Sequence, residues 1–153
     1  MGRTVATNTA VDRDALLEFV GPRHHMIVTT WRSGGGVQSS PVSGGLDSQG
    51  RIVVATYPER AKVHNVRREG KASILVLSDD FGGAWVHIDC DAEVLDLPDA
   101  MEPLVEYFRS IAGEHPDWDE YRHAMTVQGK SLLRFTPTRW SPVATGGFPA
   151  RLA

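Results

Sequence analysis

The sequence predicts a mixed α+β fold, mainly β: a six-stranded antiparallel sheet closing into a small barrel, with helices on its flanks. Three observations carry this. Six short strand-like runs, most of them apolar and β-branched, are separated mainly by turn residues, which suits strands joined as hairpins and meanders. In the longest run, from Trp85 to Leu97, Val86, Ile88, Cys90, Ala92 and Val94 alternate with His87, Asp89, Asp91 and Glu93, so one face is buried and one is wet. Helical periodicity is confined to four stretches, and a sheet of about six strands hides its edges best by closing on itself. A length of 153 residues suits a single domain with one core.

Taken in order, residues 1–10 are small and polar and are expected to be loosely ordered, as is the Gly/Pro tail 142–153. Asp12 is placed to cap a short helix whose stripe is Ala15, Leu16, Phe19 and Val20, ended by Gly21-Pro22. His24 to Trp31 predicts the first strand and Val37 to Ser43 the second, with a turn at Ser33-Gly34-Gly35-Gly36 between them. Pro41 inside the second strand marks it as a sheet edge or a bulge, because one ladder bond is missing there. Arg51 to Thr56 is the third strand. Pro58 predicts a helix start and Gly70 its stop. Ala72 to Leu77 and Trp85 to Leu97 are the fourth and fifth strands. Met101, Leu104, Val105, Phe108 and Ile111 then fall at helical spacing as far as Gly113. Asp117 with Glu120 has the cap-plus-acid spacing of another helix start, and Trp118, Tyr121, Ala124 and Met125 supply its inner face. Ser131 to Phe135 is the last strand.

Apolar residues make up 41% and charged residues 23%, ordinary values for a soluble globular chain. A net charge of −3 argues against general nucleic-acid binding. A single cysteine, Cys90, rules out an intrachain disulfide, is compatible with a reducing cytoplasm and reads as a packed thiol. No secretory h-region is visible at the N-terminus, and no apolar run approaches the roughly 20 residues of a membrane helix. The chain is expected to be cytoplasmic, away from membranes.

The local charge is another matter. Between Glu59 and Lys71 there are five Lys or Arg and two acids, a local excess of +3. The strand Ile52 to Thr56 leads through Pro58-Glu59 into a helix whose expected first turn carries Arg60 and Lys62. Cations are mildly unfavourable at a helix N-terminus, where the dipole is already positive. A solvated helix face is the commoner fate of such a cluster. An anion site explains why these charges sit where stability alone would not put them, since free N–H groups and two cationic side chains converge there on a phosphate-sized ligand.

Other site chemistry is missing. There is no G-x-G-x-x-G, Walker loop, G-x-S-x-G or H-E-x-x-H, and the six histidines include no helical pair at metal spacing, so no metal ligand set is assigned. A ligand site without an acid–base constellation fits an enzyme whose chemistry belongs to a cofactor.

Two segments carry a family resemblance. Tyr57 to Val76, with Arg60-Ala61-Lys62 at its head, resembles the central block of the pyridoxamine-phosphate-oxidase-like split-barrel proteins, in particular the actinobacterial branch that uses the deazaflavin coenzyme F420. Phe108 to Arg122 resembles the same branch, and the likeness extends over roughly residues 12 to 140. It implies a homodimer of split β-barrels with two cofactor clefts at the subunit interface. It also implies that the R-x-K segment Arg60, Ala61 and Lys62 holds the cofactor phosphate, that Ala55 and Thr56 approach the phosphate and ribityl chain, and that Gln38, Ser39, Ser40 and Pro41 approach the ring. Gly34-Gly35-Gly36 departs from the Gly-x-Pro often found in that turn. The function implied is a reductase taking a hydride from reduced F420 to a small conjugated or electron-poor organic molecule, with no catalytic side chain assigned. The rivals are an FMN-dependent oxidase or reductase of the same fold and a non-catalytic F420 carrier. Arg67, Arg68 and Lys71 are the candidates for meeting the polyglutamate tail of F420.

Overall fold

The computed structural model describes residues 4–153. Its elements in order are β1 (Thr7–Thr9), α1 (Arg13–Val20), β2 (His25–Trp31), β3 (Val37–Ser43), β4 (Gly45–Leu46), β5 (Ile52–Thr56), α2 (Ala61–Glu69), β6 (Lys71–Val76), β7 (Val86–Leu95), α3 (Met101–Ala112), α4 (Trp118–Gln128), β8 (Ser131–Trp140) and β9 (Val143–Thr145), with a 3-10 turn at Ala150–Leu152. Among the described residues, seven strands rather than six form one antiparallel sheet in the order β3-β2-β6-β7-β8-β5-β4. The sheet is curled but open, a half-barrel with β3 and β4 at its edges, rather than the closed barrel that the strand count favoured.

The extra strand comes from the turn before β5. Asp47 accepts from the backbone N–H of Gln49 and Arg51, both at 2.9 Å, and from Arg51 Nε at 2.7 Å. This side chain folds the turn so tightly that Gly45 and Leu46 pair back onto Val53 and Ile52. The last strand is also longer than its apolar run suggests. It passes Pro137 and continues to Trp140 across a register irregularity opposite Asp89 and Cys90, where a Pro is tolerated.

The segments expected to be loose are partly ordered. Thr7–Thr9 pairs with Val143–Thr145 in a separate two-stranded ribbon. Thr7 Oγ1 and Thr145 Oγ1 meet at 2.6 Å, so short polar side chains that gave no apolar signal are joined to each other instead. Residues 1–3 of the expected N-terminal tail lie outside the described residues.

Two cores sit on the two faces of the sheet. Inside the curl, α1 and α2 pack Leu16, Val20, Val63 and Val66 against Met26, Val28, Ile74, Val86, Ile88 and Phe135. Cys90 belongs to this core as a buried thiol. On the other face of β5 and β8, Val53 and Leu132 meet Leu104, Val105, Tyr107, Tyr121 and Met125 of α3 and α4. Strands β5 and β8 therefore contribute to both cores, which is why Ile52-Val53-Val54 and Leu132-Leu133 are unbroken apolar runs. The Phe108 to Tyr121 block closes the second core as a cluster of rings: Phe108 stands 5.1 Å from His115, 5.8 Å from Trp118 and 5.1 Å from Tyr121.

The caps predicted from sequence are in place. Asp12 accepts from Ala15 N at 2.9 Å, and Asp117 from Glu120 N at 3.1 Å. Gly70 ends α2 in the left-handed region at φ 66°, where a Cβ would be strained.

Candidate functional site

Strand β5 ends at Thr56, and the next four residues build the site. Tyr57-Pro58-Glu59-Arg60 is a turn closed by Arg60 N donating to Tyr57 O at 3.1 Å. The helix accordingly begins three residues later than Pro58 predicts. Arg60 is its N-cap, extended at φ −67° and ψ 145°, with no side-chain capping bond, and Lys62 is the cation inside the first turn. Glu59 lies outside the helix, so the first turn holds no acid. A residue type that cannot cap now occupies the position where Ser, Thr, Asp or Asn serves best.

Lys62 is half-buried, and burial followed by the neighbouring Arg60 charge holds its ammonium below the usual 10.5. Among the described residues no carboxylate pairs with Arg60 or Lys62. Asp96, just past the end of β7, has other partners: Arg67 donates to both of its oxygens at 2.8 Å, and Ser131 Oγ donates at 2.7 Å. Those bonds hold the Asp96 carboxyl below its ordinary range.

Sequence-distant residues complete this end of the sheet. Lys130 Nζ stands 4.0 Å from the centroid of the Tyr57 ring, and Arg60 Cζ stands 5.5 Å from the same centroid. Neither Tyr57 nor Lys130 was singled out from sequence. The available signal was that Tyr57 immediately follows one apolar run and Lys130 immediately precedes another, which an antiparallel pairing of the two runs brings together.

The other expected cations are placed elsewhere. Arg67 is paired with Asp96, Arg68 donates to Trp31 O at 2.7 Å and Asn65 Oδ1 at 2.9 Å, and Lys71 Nζ sits 4.7 Å from the Trp31 ring centroid. All three lie at or beyond the far end of α2 from Arg60 and Lys62, and each already has an intrachain partner.

The β3 residues divide between two faces. Gln38 and Ser40 stand opposite Thr30 and Val28 of β2, facing the core. Ser39 and Pro41 point to the other side of the sheet, where Ser39 Oγ meets Thr29 Oγ1 at 2.7 Å. Pro41 does lie in an edge strand, as its missing N–H requires. Helix α2 crosses the inner side of this hairpin, since Asn65 Nδ2 donates to buried Thr30 Oγ1 at 3.0 Å. Gln38 Oε1 and Ser40 Oγ are buried there without a hydrogen-bond partner among the described residues. Two unpartnered polar atoms, a carbonyl oxygen and a hydroxyl, on one strand face are uncommon in a finished core and suit a polar ligand edge. Of the β5 pair, Thr56 is buried, while Ala55 packs against the α3–α4 core.

The outer face of β2, β6 and β7 carries a different set. Ile27, Leu75, Leu77, Phe81 and Trp85 line an open apolar groove of about 460 Å³. Phe81 is 88% and Trp85 37% exposed, and Trp85 lies on the open side, as the alternation of the strand predicts. No three His, Cys, Asp or Glu among the described residues are grouped to hold a metal ion, and no helix there is long and apolar enough to cross a membrane.

Solved structures share this fold. A conserved hypothetical protein, Rv2991, from Mycobacterium tuberculosis superposes with a TM-score of 0.73 at 17% identity, covering 94% of this chain and 90% of its own. A putative pyridoxamine 5'-phosphate oxidase from Listeria innocua gives 0.62 at 15% identity, covering 85% and 96%. A protein named as an F420 reductase gives 0.60 at 15%, covering 81% and 94%. At these identities the likeness is one of fold. The family model for pyridoxamine 5'-phosphate oxidase matches residues 13–144, from the first residue of α1 into β9, and the chain belongs to that family.

Proposed function

We propose that the protein is an oxidoreductase that holds a flavin-type cofactor by its phosphate at Arg60 and Lys62, and that this cofactor is the deazaflavin coenzyme F420. The observation that carries the proposal is the pair of cations at an uncapped helix start with no carboxylate partner, one of them half-buried at the expense of its own charged state. The orphaned Gln38 Oε1 and Ser40 Oγ support it from the ring side. The resemblance of the Tyr57–Val76 and Phe108–Arg122 blocks favours F420 over FMN. So does the solved F420 reductase of the same fold.

When bound, the reduced cofactor supplies the hydride. The work of the chain is binding and orientation. Arg60 and Lys62 fix the phosphate, with backbone N–H groups of the first α2 turn beside them. Gln38 and Ser40 would offer hydrogen-bonding groups to the ring from the inner face of β3. The substrate in this proposal is a small conjugated organic molecule, and the protein acts as a homodimer that completes each cleft at the subunit interface.

FMN is the second reading, because phosphate, ribityl chain and tricyclic ring are common to both cofactors. The test is a titration of F420 and of FMN into the protein, followed by absorbance, and then oxidation of reduced F420 in the presence of electron-poor acceptors. Tighter binding of F420 with acceptor-dependent oxidation is expected. Tighter binding of FMN would replace the cofactor. F420 binding without turnover on any acceptor would point to a carrier.

A further inference from the structure

Thr56 pairs with Ser131 at the end of the β5–β8 ladder. Carrying that antiparallel register one step further sets Tyr57 opposite Lys130. The backbone at Lys130 is held on both sides. Gly129 before it is the left-handed cap of α4, and the Lys130 N–H donates to Met125 O at 3.1 Å. Its side chain is held as well, with Nζ 4.0 Å from the Tyr57 centroid. A lysine fixed this way loses less rotamer freedom on meeting a ligand than a free surface lysine does.

Arg60 shares the same ring at 5.5 Å, and Lys62 follows two residues later in the first turn of α2. Three cations therefore gather at this end of the sheet, and no carboxylate among the described residues pairs with any of them. A ring face attracts a cation but carries no net charge, so it does not neutralise either cation that it meets. One phosphate held by Arg60 and Lys62 would leave the third charge unanswered. A ligand with a second anionic group linked to the first answers it.

We propose that Lys130, held on the Tyr57 ring, is a third ligand contact of this site, and that the site takes ligands bearing two or more linked anionic groups in preference to a single phosphate. This rests on the reading of Arg60 and Lys62 as an anion site. In a cofactor with a phosphate followed by carboxylates, Lys130 would meet the group next along from the phosphate. That assigns tail recognition to this end of α2 rather than to Arg67, Arg68 and Lys71, which lie at or beyond its far end.

Inorganic anions test the proposal without any cofactor. Isothermal titration of the full chain with pyrophosphate and with orthophosphate, at matched pH and ionic strength, should show pyrophosphate binding about tenfold tighter, as one added charge-assisted contact implies. Lys130→Met should remove that advantage and leave orthophosphate affinity within about twofold of wild type. Lys130→Arg and Tyr57→Phe should keep it, because charge and ring face survive, while Tyr57→Leu should lose part of it. If Arg60→Ala weakens both anions but Lys130→Met changes neither, the third contact is wrong and the anion site stands. If wild type binds neither anion, or binds both regardless of Arg60 and Lys62, the anion site falls and this proposal with it.

Discussion

Lys62 shows how one side chain can work against the fold while serving a ligand. Its ammonium is held below 10.5 by burial and by Arg60, so the folded chain binds this proton less tightly than the unfolded chain does. Between the lowered value and the ordinary one the unfolded state carries more protons, and stability rises with pH across that window. Below the window the charge is carried at a cost. Lys62→Met should therefore leave the melting temperature at neutral pH unchanged or raised, while weakening cofactor binding about tenfold, as loss of a charge-assisted bond implies. Arg60→Ala should weaken binding similarly and leave folding alone. Loss of stability with unchanged affinity would reverse the assignment. Affinity should also fall as pH rises through the lowered value of Lys62, which a titration series in pH reads directly. Cys90 is the contrasting residue. Burial, then Asp89 and Asp91, push its thiol up to about 12, so it should resist a thiol reagent until the protein unfolds. Arg60 and Lys62 were legible in sequence because basic residues at a helix start are out of place. Tyr57 and Lys130 were not, because what joins them is a strand register between two segments far apart in the chain.

At the level of elements, α2 is tied to the sheet by a buried polar contact inside an apolar interface. Asn65 donates to Thr30 Oγ1 and accepts from Arg68, and both Asn65 and Thr30 are buried. Asn65→Leu strands the Thr30 hydroxyl and frees Arg68, and should cost about 1–3 kcal/mol in urea denaturation. Adding Thr30→Val should recover part of the loss, since removing both partners spares the unpaired group. Most strands and all four α-helices could be read from period and punctuation, and the edge position of β3 from Pro41. The start of α2 is not fixed by the sequence, because Pro58 suits either a first helical turn or a β-turn, and the extended Arg60 decides for the turn. The hairpin at β4 was missed because two residues carry no period; it is Asp47 that makes them a strand.

For the whole molecule, the consequence lies on the outer face of the sheet. Ile27, Leu75, Leu77, Phe81 and Trp85 form a contiguous apolar surface beside polar Ser73, His87 and Asp89, and such a surface is unusual on a monomer. Light scattering should report twice the 16.8 kDa chain mass at micromolar concentration. Trp85→Glu should shift that value toward the monomer if this face is the contact, and a monomeric wild type would rule the dimer out. The antiparallel sheet was legible in sequence, but its opening was not, because strand count alone does not say whether the two edges meet. A different consequence follows from the ribbon of β1 and β9. Thr7 faces Thr145 and Thr9 faces Val143, so both chain ends leave from the same end of the ribbon. A pull applied between the two ends would load its hydrogen bonds one pair at a time, like a zipper, rather than all at once in shear. The ribbon should give way at low force as a separate early event. The seven-stranded sheet would bear load only afterwards, once the slack released by the ribbon has been drawn out.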